Sequence, residues 1–570
     1  MKTHNYSTDI AVIGGGGAAC RAAIEAASRG LDCIMVDKGR PGRSGATPCA
    51  LWSIQAPFGP QGRDERDSPE QFFEDMVRAG RFIGDQNIVE IVAFTACDRI
   101  LDLERYGVHF KKYDDGRFYQ TPMPGQTYPR SCFMFENGQH LSTVLAREVS
   151  RHDNIKVFKD FLACSLLKNQ GSVVGLLGMD MLTGDIVVIN ARSTVVATGG
   201  YTSLWGFSDN PPTLTGDGIA MAYRAGAELV DLEFNQYYGT DVIWPPSARG
   251  TIVIYELMIE EFVDGEITDK SGIPIIDKPL PIRDEAIKTI FSVIKEGRGT
   301  EHGGVYFDTT KSSKSEEEVR EIFNAMTPKH YRFILDAAGI DLAKEPVEVA
   351  PASHYQCGGI YINERGESSI KGLYACGECA GNFQGANRLA GSALCDTQTT
   401  GAQVGGCAAD DAKKEGLTPP DKQSIDEQID ILQSFVSEKK NKTRPIFIKE
   451  EILKTMDAYV APFRNGEGLE KGLSVIDSLK YEIPKISVPD IKRYNLELRE
   501  AIETALALDA AELTIGSALF RTESRGHHNR TDFPETDNKN WRCHTIVSQK
   551  DGKPSYSKRD VIYTRLKPEE

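Results

Sequence analysis

Apolar positions along the chain alternate with glycine punctuation in a way that predicts a strand, a turn, a helix and a second strand within the first forty residues. Ile10 to Ile13 form a short apolar run, Gly14 to Gly17 break it, and a helical pattern from Ala18 to Ser28 stops at Gly30. A second apolar strand, Cys33 to Val36, ends in Asp37. Gly14, Gly16 and Ala19 fit the G-x-G-x-x-G/A spacing, in which the first glycine makes the tight turn, the second admits a pyrophosphate and the third position packs helix on strand. The helix N-terminus then presents free N–H groups to an anion, and an acid at the end of the second strand is placed to bond ribose hydroxyls. Together these predict a dinucleotide site.

Distant segments extend the pattern. Val195 to Gly200 (VVATGG) and Gly372 to Ala380 (GLYACGECA) each read as a strand running into a glycine turn, the second carrying Glu378 toward ribose or ribityl hydroxyls. A motif that begins almost at residue one and is completed so far away favours FAD over NAD. Between His354 and Leu394 the chain concentrates glycines around a histidine and an Asn-Arg pair. A planar guanidinium beside an imidazole suits a carboxylate.

The motifs DIAVIGGGGAACRAAIEAA, ATGGY, Thr215 to Gln236, HYQCGGI, GLYACGECAG, GANRLAGSAL and Ser524 to Trp541 follow one another in order along nearly the whole chain. The chain on this basis resembles the flavoprotein subunits of the succinate dehydrogenase and fumarate reductase family, which also includes L-aspartate oxidase and adenylylsulfate reductase. The resemblance implies an α/β fold: a doubly wound, Rossmann-like FAD-binding domain over 1–230 and 351–415, with an inserted α+β capping domain over 231–350. A helical domain over 416–518 and a polar, aromatic C-terminal tail over 519–570 complete the expected organisation. Gly416 to Asp421, with two prolines, reads as the linker into the helical part.

The resemblance implies FAD contacts at Gly14, Gly16, Gly17, Ala18, Ala19, Asp37, Lys38, Ser44, Gly45, Thr47, Ala197, Thr198, Gly199, Asp217, Glu378, Arg388, Ala393 and Leu394. It implies carboxylate binding by His354 and Arg388, proton transfer by Arg283 and a relay through Glu256. A solvated Arg283 paired with Asp284 remains the bland alternative. Three departures stand out. Tyr238 replaces a histidine that would hold a substrate's second carboxylate, and Ile259 replaces a relay arginine. Arg43-Ser44-Gly45-Ala46-Thr47 lacks the histidine that links FAD covalently in membrane-bound relatives, so a non-covalent flavin of lower potential, favouring a reductase direction, is expected. Ser392-Ala393-Leu394 stands where Asn-Ser-Leu is usual, so one hydroxyl near the flavin ring is absent.

Composition narrows the possibilities. The 570 residues, 40% hydrophobic and 26% charged, are those of an ordinary globular protein, and a formal net charge of −16 argues against nucleic acid as a partner. No apolar run reaches the ~20 residues that cross a bilayer, and the first strand leaves no room for a secretory signal, so a cytoplasmic protein is expected, with any membrane association through a partner. The twelve cysteines are scattered, and Cys376 and Cys379, spaced C-x-x-C, lie inside the flavin motif without a second pair, so no metal site is expected. Any iron–sulfur centre therefore belongs to another polypeptide.

The reading that follows is an FAD oxidoreductase acting on a C=C or C–C bond beside a carboxylate or acyl group, with a separate iron–sulfur subunit exchanging its electrons. Two others stay open: an L-aspartate oxidase-like amine oxidation, and a flavin subunit that conducts electrons without its own substrate.

Overall fold

The computed structural model describes residues 2–569. Its central seven-stranded sheet runs in the order Ile155–Phe158, Cys33–Val36, Thr3–Ile13, Asp185–Val196, Ser172–Asp180 and Phe161–Asn169, with Leu373–Ala375 alongside the last part of Asp185–Val196. The first four strands and Leu373–Ala375 are parallel, and buried residues such as Ile10, Val12, Val36 and Val195 explain their unbroken apolar runs. The remaining strands form an antiparallel meander, so the doubly wound sheet is mixed. Its first hairpin closes through Gln170 and Gly171, both at positive φ, the conformation that a two-residue turn between twisted strands requires.

The helix Gly17–Ser28 follows the first strand and packs against Ser392–Ala412. Its alanine-rich buried face permits that close approach. At Gly14, φ is +131° and a Cβ would lie 2.2 Å from the Ala197 carbonyl, so only glycine fits.

The insertion has its own apolar core around Val242, Leu257, Phe307 and Val347, joined by Trp52 and Phe133 from the flavin-side segment. Its sheet pairs Asn235–Trp244 with Val347–Gln356, then Val305–Asp308 and Glu266–Thr268, all antiparallel. The chain thus leaves and re-enters the flavin domain on adjacent strands. Because Val347–Gln356 is one continuous strand, the division expected between 350 and 351 falls inside an element and not in a linker.

The helices Lys422–Phe435, Pro445–Tyr459, Gly466–Lys480 and Leu496–Phe520 form the C-terminal helical part. The expected tail is folded. Cys543–Lys550 and Lys553–Asp560 make a hairpin whose first strand pairs with Leu229–Val230, which in turn pairs with Gly359–Ile360. Alternation over Cys543–Lys550 is weak because its first five residues are all buried, which hides the strand from a period-two reading.

Candidate active site

One cavity of about 460 Å³ runs from the glycine turn at Gly14–Gly17 to Glu256 and Arg283 beneath the cap. It is lined by every residue expected to touch FAD except Ala19. Ala19 instead sits under the turn, its Cβ 3.4 Å from the position a Gly14 Cβ would take, because the third motif position faces the strand and not the ligand.

At the turn, the helix Gly17–Ser28 begins without a capping side chain from Gly16 and without an acidic residue in its first turn. The Thr47 hydroxyl accepts from the Gly17 N–H. The helix dipole is left to favour an anion. Asp37 lies so near that a Cβ on Gly15 would meet its Oδ2 at 2.0 Å. That Oδ2 is buried without a hydrogen-bond partner, and burial pushes the carboxyl up from its ordinary range despite help from Ser44 and the Gly39 N–H. Ribose hydroxyls would supply the missing donors. Thr198 Oγ1 and Ser53 Oγ, also on the cavity wall, are buried and unpartnered as well. Glu378 accepts from the Gln356 N–H at 3.0 Å, and burial raises its carboxyl to about 7. These orphaned groups along one elongated cavity fit FAD. Asp217 and Lys38 line the same wall but are occupied with each other: Lys38 Nζ donates to Asp217 at 2.7 Å and to Glu503 at 2.9 Å. Ser44 bonds back to the Arg40 peptide, so it shapes the turn.

At the other end the expected chemistry-bearing side chains converge. Arg283 opens the helix Arg283–Val293, where Asp284 and Glu285 in the first turn oppose the dipole's positive end. It is buried, donates to Glu256 Oε1 at 2.9 Å and to Gln236 Oε1 at 3.3 Å, and lies 4.9 Å above the Tyr238 ring. Burial would lower its pKa, but Glu256 together with the Tyr255 and Tyr238 phenols outweighs that. Asp284 pairs with Arg81 and not with Arg283, which removes the solvated-pair alternative. Tyr238 donates to the other oxygen of Glu256 at 2.5 Å, and burial with that neighbouring charge raises its phenol well above the usual value. Ile259 lies in a π-helical turn, Met258–Phe262, inside the cap's apolar core.

Half-buried His354 has Nδ1 2.5 Å from Asp209 Oδ2, which fixes the ring and leaves Nε2 for another partner. Burial lowers its pKa in spite of Asp209, with Arg283 and Arg388 adding to the effect. Arg388 is buried, stacks 4.6 Å from the Tyr355 ring and donates only to the Leu389 carbonyl, 3.2 Å away. No carboxylate pairs with it among the described residues, its Nε has no partner, and burial together with the charge of Arg283 pulls it down to about 10. A buried guanidinium without a counter-ion is a site for an anion.

Several residues with a part in this geometry had no role assigned from the sequence. Gln236 Nε2 donates to Asn387 Oδ1 and to the Arg388 carbonyl, and His527 Nε2 lies 3.0 Å from the same Asn387 oxygen. Asp209 sits in a turn with no distinguishing pattern. Gln236, Asn387 and His527 do stand inside runs quoted above, and that is the signal by which they could have been found. Cys376 and Cys379 are buried with thiols pushed up by burial, and Cys379 Sγ donates to the Val196 and Cys376 carbonyls. Among the described residues no cluster could hold a metal.

An FAD binding domain model matches residues 9–394, and a fumarate reductase flavoprotein C-terminal model matches 449–570. The chain is 36% identical over 556 residues to a fumarate reductase (CoM/CoB) component of Methanothermobacter marburgensis, covering 96% of this chain and 98% of that protein. It is 30% identical over 603 residues to a succinate dehydrogenase flavoprotein subunit of Rickettsia bellii, covering 100% and 98%. A mutant E. coli quinol fumarate reductase chain superposes with a TM-score of 0.90 at 27% identity over 100% of this chain and 99% of that one. Adenylylsulfate reductase of Archaeoglobus fulgidus, at 20% identity and a TM-score of 0.83 over 99% and 97%, shares the fold. With its flavin cavity, its convergent arginines and relatives of matching length, the chain belongs to the fumarate reductase and succinate dehydrogenase flavoprotein family and is an FAD-dependent oxidoreductase.

Proposed function

We propose that the chain reduces, or in reverse forms, a C=C bond adjacent to a carboxylate or similar acyl group, exchanging electrons with a separate iron–sulfur subunit in the cytoplasm. The observation that carries this is Arg388, buried and without a counter-ion at the end of the flavin cavity where Arg283, Glu256 and His354 meet. Arg388 and His354 Nε2 take the substrate carboxylate and hold the neighbouring carbons over the flavin site. Arg283, held by Glu256 and Gln236, gives or takes the proton at one carbon, and Glu256 stabilises its charged form. FAD, when bound, supplies the two-electron hydride exchange at the other carbon. The cap excludes water from this end.

The relatives are named as subunits, and no helix of the described residues is long and apolar enough to cross a membrane. Gly45, at the cavity wall, offers no nucleophile, so FAD is held non-covalently.

The test uses the flavin-loaded protein under anaerobic conditions with reduced viologen and a panel of unsaturated acids. Dye oxidation is expected, Arg283→Ala should slow it by roughly 10³-fold, and acid precipitation should leave the flavin in the supernatant. Peroxide production on adding amino acids would favour amine oxidation instead. The hydroxyl of Tyr238, spent on Glu256, gives some support to a pure electron conduit. Under that reading Arg283→Ala leaves partner-linked flavin reduction unchanged and no acid oxidises the dye.

A further inference from the structure

We propose that the substrate carries a single carboxylate, with an uncharged, mainly apolar group on the opposite side of the reacting bond. The inference rests on the enoate reading above and concerns the apolar wall of the cavity that Arg388 also lines. That wall comprises Tyr238, Ile252 and Ile254 of the cap and Leu51, Trp52 and Met123 of the flavin side. The Val253 N–H donates to the Thr240 carbonyl at 3.0 Å, which ties this segment to the cap sheet, and Ile252 and Ile254 on either side of it belong to the cap core and also line the cavity. Trp52 is fully buried and stacks on Phe133 with centroids 4.9 Å apart, which makes the flavin side equally bulky and apolar.

Charge points the same way. Arg283 already has Glu256, Arg43 on the lining is exposed to solvent, and Arg388 is the buried cation left over, so the dry part of the cavity neutralises one carboxylate. A second would meet isoleucines and a phenol whose hydrogen is committed to Glu256. It would give up its hydration with no cation beside it, and the buried, unpartnered indole N–H of Trp52 is the one donor these six side chains leave, enough for an uncharged acyl oxygen but not for a carboxylate. Nor does Ile259, in the cap core, bring a cation to that end.

The test compares molecules of nearly equal shape. The flavin-loaded protein is given fumarate, monomethyl fumarate or cinnamate with two equivalents of one-electron-reduced methyl viologen. The dye's two electrons and two protons from water convert C=C to CH–CH. Binding of succinate and monomethyl succinate is read separately from the flavin absorbance shift. Monomethyl fumarate should exceed fumarate in kcat/KM by at least about 100-fold, and monomethyl succinate should bind correspondingly tighter than succinate. Tyr238→His should narrow both ratios by at least about tenfold, as should Ile254→His, provided each retains stoichiometric flavin. Equal or better use and binding of the diacids by the unmodified protein would overturn the inference. Failure of every acid to oxidise the dye, with the monoester still bound preferentially, would instead overturn the reductase reading and leave the single-carboxylate site standing.

Discussion

Arg388 illustrates how one side chain defines a ligand. Its guanidinium is inside the protein with no carboxylate of its own, and it lies near a second arginine that lowers its pKa further. Burial, aided by Arg283 and Arg388, lowers the pKa of nearby His354 in spite of Asp209. A carboxylate entering between them favours the imidazolium, so binding takes up a proton and strengthens as pH falls. Titration calorimetry of a saturated monocarboxylate in buffers of different ionisation enthalpy should show net proton uptake by the unmodified protein. Arg388→Ala should weaken binding by about 100-fold, the value of a charge-assisted bidentate contact. That Arg283, His354 and Arg388 would meet at one cavity was readable because each sits in a recognisable run of neighbours. The pairings of Asp209 and Asn387 were not, because the partners are far away in sequence: Asp209 meets His354 across 145 positions, and Asn387, although it stands beside Arg388, meets His527 across 140. Local pattern carries no trace of such pairs.

At the scale of elements, the cap is tied to the flavin domain by charge as well as by strands. Arg81, at a positive φ just after the helix Pro69–Ala79, donates to Asp284 at 2.8 and 3.0 Å and to Glu285 at 2.8 Å, on the first turn of the helix that Arg283 opens. Asp284 is buried whereas Arg81 is about a third exposed, so the pair has one dry partner. Removing the arginine leaves that carboxylate uncompensated. Arg81→Ala should therefore release the start of the helix, lower kcat by about tenfold with less effect on flavin affinity, and speed proteolytic cleavage within 245–300. The insertion was legible as a break between two halves of the flavin pattern. Its edges were less so, since the strand Val347–Gln356 serves the cap sheet with its first residues and the site with His354.

For the molecule as a whole, the least expected feature is the C-terminal hairpin. His544 on its first strand is fully buried, with Nδ1 2.6 Å from Asp231 and Nε2 3.3 Å from Asp85. Burial alone would lower its pKa, but the two carboxylates raise it to about 10 from the ordinary 6.5. A raised pKa contributes stability in full below 6.5 and loses it as pH climbs through about 10. His544→Gln should cost about 3 kcal/mol near neutrality, measured by denaturant unfolding, and the gap to the unmodified protein should close toward pH 10. The fold class could be anticipated because glycine turns and apolar strands announce a flavin domain. The hairpin could not, because its strands gain meaning only against Leu229–Val230. Leu229–Val230 and Gly359–Ile360 flank the insertion on its way out and back, and Cys543–Lys550 completes the sheet that binds them. His544 and Asp231 are 313 positions apart, so during synthesis the crossing points of the cap stay unsupported until the hairpin has left the ribosome. The sheet that braces the cap's crossing points is thereby completed late in synthesis, well after the glycine turn of the cavity has been made.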